Sequence, residues 1–349
     1  MKTLIPRWGT LAAISLLSFL PVATGRADAP YHFLKEIAVG GEGGWDYLAL
    51  DSSARRLYVA HATQVVVIDT DKDAVVGAIA DTPGVHGFAI AADLDRGFSS
   101  NGKEAKASIV DLTTLKTIMK VDTGANPDAI VYASGPREVY TFNGHAQSAT
   151  VFDATTGKVV ATIPLPGKPE FAAYDPTANL VYDNIEDKSE VIVIDAKLHQ
   201  IVNTWPIAPG AEASGLALDK EHHRLFIGCH DQLMLMMDST TGKVIATVPI
   251  GQGVDANAFD PGTQLAFSSN GDGTLIVAHE DAPDKLTVAQ DLVTQKGART
   301  MAVDLKTHKV YLATAQFEPP PPQPPGSPAS PPTRPKIIPG TFKILVYGM

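Results

Sequence analysis

Asp128-Ala-Ile-Val-Tyr132, Glu138-Val-Tyr-Thr-Phe142, Ser148-Ala-Thr-Val-Phe-Asp153 and Val159-Val-Ala-Thr-Ile-Pro164 follow one another within residues 122–164. Each is a short β-branched or aromatic run. Ser134-Gly-Pro-Arg137, Asn143-Gly144 and Thr155-Thr-Gly-Lys158 separate them. Runs of this length bounded by Gly, Asn, Asp and Pro read as four strands joined by tight turns. The second strand is the anchor, because its aromatic returns along the whole chain. Tyr58, Phe98, Tyr140, Tyr182, Phe226, Phe267 and Tyr311 lie 40, 42, 42, 44, 41 and 44 residues apart. A period of 40–45 residues with four short strands per unit predicts an all-β, seven-bladed β-propeller with one four-stranded antiparallel blade per repeat.

The last unit runs out of chain. Met301-Ala-Val-Asp304, Lys309-Val-Tyr-Leu312 and Phe342-Lys-Ile-Leu-Val-Tyr347 supply three strands. Tyr31-His-Phe-Leu-Lys-Glu-Ile-Ala-Val39 is patterned like the fourth strand Leu115-Lys-Thr-Ile-Met-Lys-Val121. The expectation is that the N-terminal strand completes the last blade and removes an open sheet edge.

Lys2 and Arg7 precede an apolar run from Leu11 to Leu20, and Ala27-Asp28-Ala29 has the small-x-small form of a cleavage site. Residues 1–29 therefore read as a Sec-type signal peptide, and residues 30–349 as a single propeller domain that is periplasmic or secreted. The apolar run is too short for a membrane span, and no later segment is long and apolar enough for one. Cleavage removes Lys2, Arg7, Arg26 and Asp28, taking the formal charge from −10 to −12. Such an acidic chain argues against general nucleic-acid binding, which rests on cationic contacts to phosphate. The one cysteine, Cys229, excludes an internal disulfide and Cys-based zinc sites.

The phrases Leu57-Tyr-Val-Ala60, Val139-Tyr-Thr-Phe-Asn143 and Phe267-Ser-Ser-Asn270 resemble the Tyr-Val-Thr-Asn repeat of the YVTN, or YncE-like, exported bacterial seven-bladed propellers. The resemblance spans residues 31–349. It implies the fold and export, and a binding or surface role, with nucleic-acid binding reported for some members. The wider seven-bladed group includes lactonase-like enzymes. The family offers no catalytic motif to carry over.

The repeat also works as a ruler. Third strands end in Asp69, Asp111, Asp153, Asp195 and Asp238, which read as caps of the following turn. Thr-Gly-Lys at Thr156 and Thr241 lacks the glycine spacing of a phosphate loop. Twelve residues before each aromatic stand Asp46, His86, Asp128, Glu170, Ser214, Asp255 and Arg299, with Gly44, Gly84, Gly124, Gly167, Gly210, Gly253 and Gly297 two to four residues upstream. This is the entry to each innermost strand, so these polar side chains are expected to ring the mouth of the central channel. With His86 neutral the ring carries −3.

Carboxylates held together take up protons or a cation. Asp46, His86, Asp128 and Glu170, from consecutive blades, are the candidate metal ligands, for Ca, Zn or Mn. Asp46, Arg299, Asp255, His61, His145 and His230 are candidate ligand-binding residues, Arg299 for an anionic group. If the site is catalytic, His86 or Glu170 is the base of a metal-dependent lactone or phosphoester hydrolase. A nucleophilic Cys229 beside His230 and Asp231 has no supporting motif. His222, His223 and His308 fall in turns of the opposite face and carry no functional expectation, and the His279-Glu280 pair points there too. Residues 318–340, with eleven prolines, form an insertion in the last blade. With its polyproline tendency it reads as a flexible excursion, a lid or a docking segment for a protein partner on the mouth face. The three readings of the chain are a small-ligand binder, a hydrolase and a protein-binding scaffold, each as a monomer.

Overall fold

The computed structural model describes residue 1 and residues 30–319 and 336–349. Residues 31–349 form one compact unit of seven four-stranded antiparallel sheets. The chain is a seven-bladed β-propeller. The innermost strands of blades one to seven are Trp45–Asp51, Val85–Ala91, Pro127–Ala133, Pro169–Asp175, Ala213–Asp219, Val254–Asp260 and Thr300–Asp304. Blades one to six run outward in chain order. Blade seven pairs Thr300–Asp304, Lys309–Thr314 and Lys343–Gly348 with His32–Ala38 as its outer strand. The two ends of the chain thus close the ring. Among the described residues, no helix is long and apolar enough to cross a membrane. Except for Met1, the segment read as a signal peptide lies outside the described residues, as do residues 320–335 of the proline-rich insertion.

All seven repeat aromatics are buried. They sit on the second strand, where a flat side chain fills the space between neighbouring sheets. Tyr140 and Tyr182 also reach the next blade, donating to the carbonyls of Ala196 (3.2 Å) and Ser239 (3.1 Å). A buried phenol needs such a partner. The third-strand aspartates cap their turns: Asp153 Oδ1 accepts from the amides of Thr155 (3.0 Å) and Thr156 (2.7 Å). Asp69, Asp111, Asp195 and Asp238 make the same pair of bonds. Blade six departs from this pattern, with His279 opposite Leu265 and its third strand prolonged to Ala282.

Candidate functional site

Six of the seven ring positions are the second residue of an innermost strand, and Arg299 immediately precedes one. The residue before each ring position is apolar and buried: Trp45, Val85, Pro127, Pro169, Ala213, Val254 and Ala298. Side chains alternate along a strand. Anchoring that apolar residue between blades leaves the next one facing the channel. Because the pairing with the second strand is irregular across this point in blades one to six, alternation does not continue strictly, and Tyr47 reaches the cavity as well. Neighbouring blades pin the ring backbone as well. Ser100 of blade two donates to the carbonyl of Asp128, Asn184 of blade four to that of Ser214 (3.0 Å), and Ser269 of blade six to that of Arg299.

The ring surrounds a cavity of about 650 Å³, which Asp46, His86, Asp128, Glu170, Asp255 and Arg299 all line. Ser214 does not line it; buried, it donates to Asp255 Oδ1 at 3.3 Å. The ring sorts into three groups. His86 Nδ1 lies 2.6 Å from Asp46 Oδ2 and 3.6 Å from Asp128 Oδ1. Arg299 Nε is bonded to Asp255 Oδ2. Glu170 Oε2 lies 3.1 Å from Lys168 Nζ, which also binds Glu186. That first contact lacks hydrogen-bond geometry, so Glu170 Oε2 is a buried, ion-paired oxygen without a directional partner. The four-residue metal set of the sequence thus divides: Asp46, His86 and Asp128 offer donor atoms within 4.8 Å of one another, and Glu170 sides with a lysine.

The remaining candidates fall differently. His230 lines the cavity, its Nε2 3.3 Å from Glu186 Oε1. His61 is buried, stacked on Phe342 at 4.2 Å. His145 is exposed in its turn and is not part of the cavity lining. Cys229 is fully buried, and burial pushes its thiol up to about 12, which makes it a core residue rather than a nucleophile. Phe317 and Ile337, the bridged stem of the proline-rich insertion, line a smaller cavity of about 250 Å³ together with Arg299. The insertion therefore leaves the fold beside the ring.

Crowding of acids sets the electrostatics. Burial, then Asp46, raises Asp128 above the usual carboxylate range, against the pull of His86. Burial, then Asp128, raises Glu170. Burial alone lowers His86, but the bond to Asp46 and the charges of Asp128 and Asp46 outweigh it and hold the imidazole at about 9. Behind the ring, Asp183 is completely buried with neither oxygen partnered. Burial and the charges of Glu170 and Asp128 raise it far above its ordinary value.

Sequence reasoning missed Lys168, Asn126, Lys103, Glu186 and Tyr47 in the lining. Two of them were within reach of the same ruler. The position two before each ring residue is Gly44, Gly84, Asn126, Lys168, Glu212, Gly253 and Gly297. It has positive φ in five blades (Gly84, Asn126, Glu212, Gly253 and Gly297). Glycine is the default for such backbone; Asn126, Lys168 and Glu212 carry side chains there, Lys168 without positive φ, and of the three Asn126 and Lys168 line the cavity. Tyr47 is the third residue of its strand and lies under the ring. Its ring meets Phe171 of blade four at 4.9 Å, edge-on.

No family model and no curated protein matches the chain.

Proposed function

We propose that this protein binds a small, anionic ligand at the mouth of the propeller channel, with a divalent cation held by Asp46, His86 and Asp128. The observation that carries the reading is the convergence of three donor atoms from three consecutive blades on the wall of an open cavity. Metal–ligand bonds of about 2.0–2.2 Å set adjacent donors roughly 2.9–3.4 Å apart. The 2.6 Å and 3.6 Å separations at His86 need only shifts of a few tenths of an ångström. The imidazole nitrogen favours Zn or Mn over Ca. A cation also relieves the repulsion that raises Asp128. Arg299, Lys168 and Lys103 line the same cavity and suit a carboxylate or phosphate on the ligand. The resemblance to exported binding propellers is in keeping with this role.

Metal content of the purified mature protein tests the reading, with melting followed before and after chelation. A stoichiometric ion that is lost in Asp46→Ala/His86→Ala supports it; a metal-free protein indifferent to Zn²⁺, Mn²⁺ and chelator rejects it.

A hydrolytic form of the same site is favoured by Glu170, a carboxyl raised by burial and Asp128 toward the range of a general base. Turnover on lactone and phosphoester panels, abolished in Glu170→Gln with metal binding kept, separates hydrolysis from binding. No turnover by the metal-loaded protein on either panel rules hydrolysis of those two classes out.

A further inference from the structure

A second cluster lies on the opposite face, between blades five and six. There the innermost strands of blades five, six and seven each end in a buried aspartate, Asp219, Asp260 and Asp304. At two of these the turn of the following blade supplies a nitrogen. Arg55 Nη1 donates to Asp304 Oδ2 at 2.5 Å, and His308 Nδ1 lies 2.6 Å from Asp260 Oδ2. The matching turn position in blade six is Gln264. What blade six turns toward Asp219 is an acid, Glu280. It follows the end of the repeat's third strand, where Thr70, Ala154, Ala196 and Ser239 stand in other blades. Glu280 is 3% exposed and neither of its oxygens has a hydrogen-bond partner among the described residues.

The third member is His222, from the turn of blade five. Its Nδ1 lies 2.7 Å from Asp219 Oδ2 and 3.6 Å from Glu280 Oε2, and one donor atom from each residue fits within 4.8 Å. The neighbouring guanidinium, Arg224, is engaged elsewhere, with the carbonyl of Pro283 (2.9 Å) and with Asp238 (3.4 Å). We propose that Asp219, His222 and Glu280 bind a divalent transition-metal ion of the Zn²⁺ type that clamps blade five to blade six.

Two buried carboxylates and one imidazole form a three-ligand set with one position open, and an ion bound to all three places donors about 3.3 Å apart in tetrahedral geometry. The 2.7 Å pair opens by about 0.6 Å and the 3.6 Å pair closes by about 0.3 Å toward that spacing, and the donors of Asp219 and Glu280 lie within 4.8 Å of each other. His222 is the most exposed of the three, at 37% of its side chain, which leaves a route for the ion and room for a water as fourth ligand. This site shares no residue with the channel mouth and stands whether or not that reading holds.

The test uses the mature chain carrying His86→Ala/Asp128→Asn, which removes the mouth cluster. After dialysis against chelator, this background should bind one equivalent of Zn²⁺ and melt at a higher temperature with it. Adding Glu280→Gln should weaken binding about tenfold or more, the least that disturbing a metal shell does, and abolish the thermal shift. His222→Ala, a change at a partly exposed turn residue, should do the same and decides the matter if Glu280→Gln fails to fold. The proposal is overturned if the background takes up no Zn²⁺, or if stoichiometry and thermal shift survive both substitutions. A Glu280→Gln protein that is more stable in a background without zinc uptake would likewise overturn it, showing a shared proton in place of an ion.

Discussion

Tyr47 of blade one and Phe171 of blade four meet edge-on across the propeller axis, ring centroids 4.9 Å apart. Blades three apart around the ring are joined only through the channel, so this pair spans it beneath the ring of charged residues. Tyr47 is 7% exposed and lines the cavity floor. Burial, then Glu170, Asp128, Asp255 and Asp46, raises its phenol well above the ordinary value, so it is a neutral hydroxyl. The mouth is therefore a bowl with an aromatic contact at its base.

Tyr47→Ala should deepen that bowl and destabilise the fold by about 3 kcal/mol, the lower range for removing a buried aromatic. Tyr47→Phe should keep the edge-on contact and most of the stability. Urea unfolding of the two variants checks this. Equal losses in both would mean that the hydroxyl, not the ring contact, holds the floor.

His86 makes stability depend on pH. Its folded value of about 9 lies above its ordinary 6.5, so the folded state binds the proton more tightly. The stabilisation is fully present below about pH 6.5 and is lost as pH rises through about 9. In the presence of chelator, the stability difference between the native chain and His86→Gln should therefore shrink between pH 6.5 and 9. The groups responsible are Asp46 and Asp128, with Asn126 as a further acceptor on the ring. A difference that stays flat across that window would show that the two aspartates do not hold a cationic imidazole. The same proton competes with metal, so cation affinity at this cluster should rise with pH over the same interval.

Arg55 is the counter-charge of a fully buried carboxylate. Its guanidinium bonds Asp304 and, at 2.9 Å, Asp71, and its side chain is 12% exposed beside a wholly buried Asp304. Removing one partner of such a pair leaves an uncompensated charge. Arg55→Ala should lower stability by about 3 kcal/mol, read from chemical denaturation at neutral pH. The companion Asp304→Asn/Arg55→Ala should recover part of the loss, because the stranded charge is gone. A single substitution that shifts the midpoint no more than a surface change would contradict the ion pair.

What the sequence made legible follows from what repeats. The period of Tyr58 to Tyr311 fixed the blade count because one aromatic per blade fills one interblade space. The ring from Asp46 to Arg299 was legible because it keeps a constant spacing of twelve residues from the repeat aromatic. What did not repeat was passed over. Lys168 and Asn126 occupy a position that is glycine in four other blades. Glu186 and Lys103 come from second-to-third-strand turns whose lengths vary. The partition of the ring into Asp46–His86–Asp128, Glu170–Lys168 and Asp255–Arg299 depends on side-chain reach, which spacing does not encode. His222 and Glu280 were set apart for a similar reason: they lie 58 residues apart in the chain and meet only because blade six follows blade five around the ring.

Ring closure gives the most direct test of the architecture. His32–Ala38 pairs with Lys343–Gly348 across six residue partners, with one irregularity between Phe33 and Lys35. Tyr31 and Ile37 are buried, and Tyr31 is fixed from both sides: its hydroxyl donates to the carbonyl of His308 at 2.7 Å, and its amide donates to Gln290 Oε1 at 2.8 Å. The strand therefore fastens blade seven and touches blade six. Ile37→Ala should cost about 2–4 kcal/mol as a core truncation. Deleting residues 31–39 should do more, exposing the edge of Lys343–Gly348 and promoting association through it. Thermal melting with light scattering reads both effects. An unchanged melting temperature in the deletion variant would mean that the N-terminal strand does not close the ring. By contrast, joining Glu318 to Lys336 with a short turn should leave melting intact, because Glu318 N already bonds the Lys336 carbonyl at 2.7 Å. The two deletions at the ends of blade seven are thus expected to have opposite outcomes, one structural and one silent.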